Sequence, residues 1–242
     1  IGVRLVGSEM CIRDRCSEAG DTGSHDQTCV QSRKETGREK AGKKEEGNAC
    51  GRRYAAFLGW VALMILGFKG FKPGLIATLG DGSYQYQPGE VSKTEKAKCA
   101  NTGFHYCLDP LDCLNWYAWN GKNEFWAIAA GGDIDEDDYR TRSSCTEIVP
   151  LRRLKEDEFL LMHANYVFEH PAEKFEDCFK RPFHIAYGQG KELAGARGEW
   201  LCFIVRGKNE FTCIAQPVDG VKVLPGKNYT SESLEAAHDE KG

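Results

Sequence analysis

The stretch from Gly103 to Ile134, GFHYCLDPLDCLNWYAWNGKNEFWAIAAGGDI, constrains the fold most, because it packs a strand, a capped helix, a turn and a second strand into one supersecondary unit. In Phe104-His105-Tyr106-Cys107 the side chains alternate at the strand period, so His105 and Cys107 share one face and Phe104 and Tyr106 the other. Asp109 can then accept from free amides of a first helical turn, Pro110 suits the first helical position, and Asp112 favours the positive end of the dipole. Leu111, Leu114 and Ala118 give that helix an apolar face, and Asn120-Gly121 stops it. Phe125 to Ala130 is short, apolar and aromatic, as a buried strand is.

Before this unit, Phe68-Lys69-Gly70-Phe71 reads as an opening strand, and Pro73-Gly74 and Gly80-Asp81-Gly82 as turns. Tyr84-Gln85-Tyr86 is a second short strand closed by Pro88-Gly89. After the unit, Asp133, Asp135, Glu136, Asp137 and Asp138 read as an acidic loop, and Cys145 to Leu151 as a closing strand. Residues 64–154 therefore form the main domain. Residues 155–198 read as a helical connector and linker, in which Pro171 breaks any continuous helix and the pairing of His163 with His170. Trp200 to Val205, Glu210 to Val218 and Val221 to Leu224 predict a small antiparallel meander over residues 199–230, and residues 231–242 a disordered tail. The fold class is α+β: a strand-rich mixed domain with one short central helix, plus the small C-terminal β unit. The run Gly121-Lys122-Asn123-Glu124-Phe125 recurs as Gly207 to Phe211, which is reuse of turn chemistry rather than duplication.

Residues 1–63 differ from the rest. From Ser17 to Gly51 small and charged residues dominate, so this segment reads as a disordered leader. Tyr54 to Leu66 is apolar after Arg52 and Arg53, but shorter than the roughly 20 residues that span a bilayer. It predicts neither a membrane segment nor an export signal. The net charge of −4 gives no electrostatic case for a nucleic-acid partner. The eleven cysteines are odd in number and scattered, which predicts reduced thiols in a cytoplasm.

Two resemblances add to this reading. Val6 to Arg15, VGSEMCIRDR, resembles the translation of a sequencing adapter found at the ends of metagenomic gene models, which implies a genuine start at Met64. The blocks GFKGF, YQYQPGE, GFHYCLDPLDCLNWY, FWAIAAGGDIDEDD and SCTEIVPLRRL resemble a family of uncharacterised bacterial and phage domains whose core is G-F-H-x-C-x-x-P-L-D, intact here from Gly103 to Asp112. That resemblance implies a small mixed domain and transfers no catalytic residue.

Three candidate sites follow. Cys99, His105, Cys107 and Cys113 carry donors suited to zinc, but their spacing matches no paired knuckle, so no metal is expected. Asp133, Asp135 and Asp137 have the first three ligand spacings of an EF-hand, while Asp138 and Ser144 replace its Gly and closing Glu. The strand, tyrosine-bearing helix and second strand also look like the ADP-ribosyltransferase fold. That likeness implies a dinucleotide cleft with Lys69, His105 and Tyr117 around it and Glu147 as the late acid. Lys69 departs from the His or Arg of that fold, since it offers a point charge only.

The first functional expectation is a non-enzymatic binding or accessory module of phage or mobile-element origin, with an interaction surface at Trp116, Tyr117 and Trp119. Its partner is a protein or a small molecule, with no nucleic acid and no membrane, and no cofactor is expected. The alternative is an ADP-ribosyltransferase-like enzyme, which alone would need NAD. A cleft holding Lys69, His105 and Tyr117 favours the enzyme; a closed core there with exposed tryptophans favours the module.

Overall fold

The computed structural model describes residues 2–5, 64–78, 82–137, 141–207 and 211–239, all within one compact unit. Its strands, in chain order, are β1 (Gly2–Leu5), β2 (Ile65–Phe71), β3 (Ile76–Ala77), β4 (Tyr84–Gln85), β5 (Ser92–Lys93), β6 (Phe104–Tyr106), β7 (Glu124–Glu136), β8 (Ser143–Arg153), β9 (Phe183–Tyr187), β10 (Trp200–Arg206) and β11 (Phe211–Pro217). A 3₁₀ helix spans Pro110–Asn115, α1 spans Glu156–Glu169 and α2 spans Ser231–Asp239. The protein is α+β and strand-rich.

One sheet has the order β2-β7-β8-β5, with β6 also paired to β8; the other has the order β1-β11-β10-β9. Phe68 of β2 and Cys107, just past β6, exchange two backbone hydrogen bonds of 2.7 and 2.8 Å. That exchange closes β2, β7, β8 and β6 into a ring. Gly67 and Gly70 of β2 sit where aromatic rings press on the strand: a Cβ at Gly67 would meet the Tyr106 ring at 2.5 Å, and one at Gly70 the Tyr117 ring at 2.7 Å. The two glycines let aromatic rings lie directly on the strand.

The corner between β6 and β7 is capped as its sequence predicts. Asp109 accepts from the Leu111 amide at 2.9 Å and Pro110 opens the helix. The helix is 3₁₀ and not α, and it ends before Ala118; its last turn tightens as the Trp116 and Tyr117 amides both donate to the Cys113 carbonyl. Phe125 to Ala130 forms the buried part of β7, with Phe125 and Ala127 facing one core cluster and Ile128 and Ala130 another.

Several expectations need correction. The acidic stretch is no loop as far as Glu136: β7 runs on through Asp133 and Asp135, with a register shift between Gly131 and Ile134 that interrupts the alternation of β7. Val221 to Leu224 is no strand, because the amides of Val221, Lys222 and Val223 all donate to Asp219 Oδ1 at 2.8 to 3.1 Å and have none left for a ladder. The third C-terminal strand is β9, parallel to β10, from within the expected connector. The expected tail forms α2, anchored by fully buried Leu234. The structure does not separate cores at 154 or 198: Phe68, Phe125, Phe159, Leu160, Phe183 and Cys202 belong to one cluster, so α1 packs into a core shared by both sheets. In the leader, β1 pairs antiparallel with β11 where no strand is expected; the rest of residues 1–63 lies outside the described residues. Among the described residues no helix is long and apolar enough to cross a membrane.

Candidate functional site

Where β2 and β6 diverge past the Phe68–Cys107 exchange, they leave a cavity of about 320 Å³. Lys69, His105, Cys107, Cys113, Trp116, Tyr117 and Arg142 all line it. β2 supplies Lys69, β6 and its end supply His105 and Cys107, and the 3₁₀ helix and the turn after it supply Cys113, Trp116 and Tyr117. The corner unit thus builds most of the walls.

Lys69 Nζ donates to the His105 carbonyl and lies 5.7 and 5.8 Å from the ring centroids of Phe71 and Tyr86. Burial lowers its pKa from the ordinary lysine value, with neighbouring thiols opposing. No carboxylate pairs with it among the described residues. His105 Nε2 accepts the Ala100 N–H at 3.0 Å, so the ring proton sits on Nδ1. Burial first, then the charges of Lys69 and Arg142, hold its pKa down to about 4. His105 is therefore a neutral group in this cavity, not an imidazolium waiting for an anion. Ala100, on the rim, has a left-handed backbone with φ of 65°.

Arg142 stacks its guanidinium 4.4 Å above the Trp116 ring centroid. Its Nε is buried and lies 3.5 Å from Asp137 Oδ2, an ion-pair distance without hydrogen-bond geometry. Tyr117 Oη accepts from the Thr78 amide at 3.3 Å. Cys107 and Cys113 lie within hydrogen-bond reach of each other, and burial pushes the Cys113 thiol well above the ordinary thiol value.

Among the expected site residues, the structure brings Lys69, His105 and Tyr117 to one cavity and leaves Glu147 out of it. Glu147 lies on β8 opposite Gly131 and pairs with Lys93 at 2.6 Å. The four candidate metal donors form no ligand set, although His105, Cys107 and Cys113 line one cavity. The Cys99 thiol donates to the Arg142 carbonyl at 3.6 Å, His105 Nε2 is taken by Ala100, and among the described residues no group of three or more His, Cys, Asp and Glu side chains could hold a metal ion. Two of the three candidate aspartates are occupied with the protein itself: Asp135 takes the Cys99 amide at 2.6 Å and Lys98 at 3.2 Å, and Asp137 takes Thr141. The proposed surface of Trp116, Tyr117 and Trp119 is not one surface. Trp116 is 39% exposed at the cavity, Tyr117 is buried, and Trp119 stacks on Phe125 at 4.4 Å within the core. Sequence reasoning missed Arg142, which sits in a polar run and reaches the cavity only because the β7–β8 hairpin closes through the Asp137 amide and the Arg142 carbonyl.

Residues 65–162 match a family model described as a domain of unknown function (DUF7666). No curated protein and no solved structure matches the chain. Every residue named in the cavity falls inside the DUF7666 match, whereas β9, β10 and β11 lie beyond it. The cavity thus lies wholly within the matched residues.

Proposed function

We propose that the cleft binds a small ligand carrying an anionic group and a planar ring, and that the protein acts as a non-enzymatic binding module. One observation carries this reading: Lys69, Arg142 and the Trp116 ring line the same cavity, and among the described residues no Asp or Glu does. A lining with basic side chains and no carboxylate favours a ligand anion over a ligand cation. The Trp116 ring, already carrying Arg142 on one face, gives a flat partner at the cavity wall. The cavity volume lies at the small end of the range, roughly 300 to 1,000 Å³, of small-molecule sites. The free thiols of the described cysteines support a reducing setting such as a cytoplasm, and the resemblance to bacterial and phage domains supports an accessory module of phage or mobile-element origin.

Calorimetric titration of the full chain with adenosine 5′-monophosphate, adenosine and inorganic phosphate tests the reading. The nucleotide should bind more tightly than either half, and Lys69→Met and Arg142→Gln should each weaken it while leaving the melting temperature within a few degrees. No heat from any of the three overturns it.

The convergence of Lys69, His105 and Tyr117 in one cleft also favours the second reading, an ADP-ribosyltransferase-like enzyme using NAD. The position of Glu147 speaks against it, since the late acid of that chemistry would have to reach the cleft. Release of nicotinamide from NAD by the purified chain would favour the enzyme over the module.

A further inference from the structure

Lys69 is placed for covalent chemistry as well as for charge. Lys69 lines the cavity from the middle of β2, its hydrogen bond to the carbonyl of His105, another lining residue, fixes one N–H, and the Phe71 and Tyr86 rings flank the amine. Tyr117 lines the same cavity, and its hydroxyl, which accepts from the Thr78 amide, keeps its own proton to donate. We propose that Lys69 captures an aldehyde or ketone group of the cleft's ligand as an imine. This rests on the ligand-binding reading above and adds a carbonyl to the ligand's description.

The chemistry balances without an oxidant or reductant. The neutral amine attacks the carbonyl carbon, a proton passes from nitrogen to oxygen to give the carbinolamine, and that hydroxyl leaves as water while nitrogen loses its remaining proton. One amine and one carbonyl yield one imine and one water. The step needs the neutral amine, whose share rises about tenfold for each unit by which a lysine pKa falls. Desolvation of Lys69 is the largest influence and acts in that direction; the neighbouring thiols of Cys107, Cys113 and Cys145 oppose it, and among the described residues no carboxylate lines the cavity to add to that opposition.

The test uses the full chain with pyridoxal 5′-phosphate, which joins an aldehyde to a planar ring and a phosphate, followed by borohydride reduction and peptide mass mapping. Lys69 should be labelled about tenfold faster than exposed lysines such as Lys122 or Lys155, and pyridoxamine 5′-phosphate, which lacks the aldehyde, should slow that labelling. The ratio is read on the wild-type chain, so no variant need fold; Lys69→Arg should remove the fast adduct. If pyridoxamine 5′-phosphate raises the melting temperature but Lys69 labels no faster than the exposed lysines, carbonyl capture is overturned and the binding reading stands. If Lys69 labels fast and pyridoxamine 5′-phosphate neither binds nor protects, capture stands and the anion-and-ring reading falls. If neither compound acts at the cleft, capture is overturned.

Discussion

His163 Nδ1 lies 2.7 Å from Asp109 Oδ1, which ties α1 to the residue that caps the 3₁₀ helix. Its other ring nitrogen lies 2.6 Å from the Tyr187 hydroxyl on β9, so one buried imidazole joins the corner that walls the cleft to the C-terminal sheet. His163→Ala would leave the Asp109 carboxylate and the Tyr187 hydroxyl without their partner in a buried setting. The expected loss is about 3 kcal/mol of unfolding free energy. Urea denaturation measures it, and a loss below about 1 kcal/mol would show the relay to be unimportant.

Asp112 gives a pH dependence. Burial, with the Asp109 charge adding, pushes its carboxyl up to about 7, against the pull of Lys180, His163 and Asn115. The folded state therefore holds the Asp112 proton more tightly than the unfolded chain does, and this group lowers stability as pH rises from about 4 towards 7. Asp112→Asn should raise the melting temperature at pH 8 and leave it nearly unchanged at pH 4. Equal shifts at both values would show that the carboxyl is not held protonated.

His105 should behave in the opposite sense. With its pKa held near 4, the unfolded chain binds the proton more readily, so this residue's contribution to stability rises with pH from about 4 to its ordinary value near 6.5. An NMR titration should find the His105 ring still neutral at pH 5. A midpoint above 6 would contradict the burial and charge environment described.

Gly70→Ala should disturb the cleft from behind. The new Cβ would meet Tyr117 ring and Cβ atoms at 2.7 to 2.9 Å, so the ring must move. The expected cost is about 1–3 kcal/mol with weakened nucleotide binding. Gly74, whose φ is +78° and whose Cβ would meet nothing within 4 Å, is the control: alanine there costs backbone strain and leaves binding intact. Equal effects on binding would separate Tyr117 from the site.

Glu147→Gln should leave nucleotide binding unchanged and cost at most about 1 kcal/mol, since its partner Lys93 is exposed and an ion pair of that kind contributes little. A lost catalytic activity in this variant would instead restore the transferase reading.

The corner is legible in the sequence because its signals are local: Asp109-Pro110 starts the helix, Asn120-Gly121 follows it, and Asn120 Oδ1 does take the Lys122 and Asn123 amides. Lys69, His105 and Tyr117 come to one cavity, as the likeness to the ADP-ribosyltransferase fold implies, but the β2–β6 contact that brings them together is non-local and has no signal in the residues. What the sequence hides is non-local. β9 pairs in parallel with β10 across a long connection, so no turn announces it. Leu234 anchors α2 only because a pocket of Ala186, Leu201 and Phe203 exists on the other sheet. Arg142 becomes a cavity residue through hairpin closure and its seat on Trp116, neither of which its neighbours in sequence suggest.

The exchange between Phe68 and Cys107 fastens the ring of strands with a pair of hydrogen bonds, where the other seams have ladders of several. A clasp that small can spring without melting the bracelet. The Phe68 and Cys107 amides should therefore trade their protons with solvent well before those at the centre of β7.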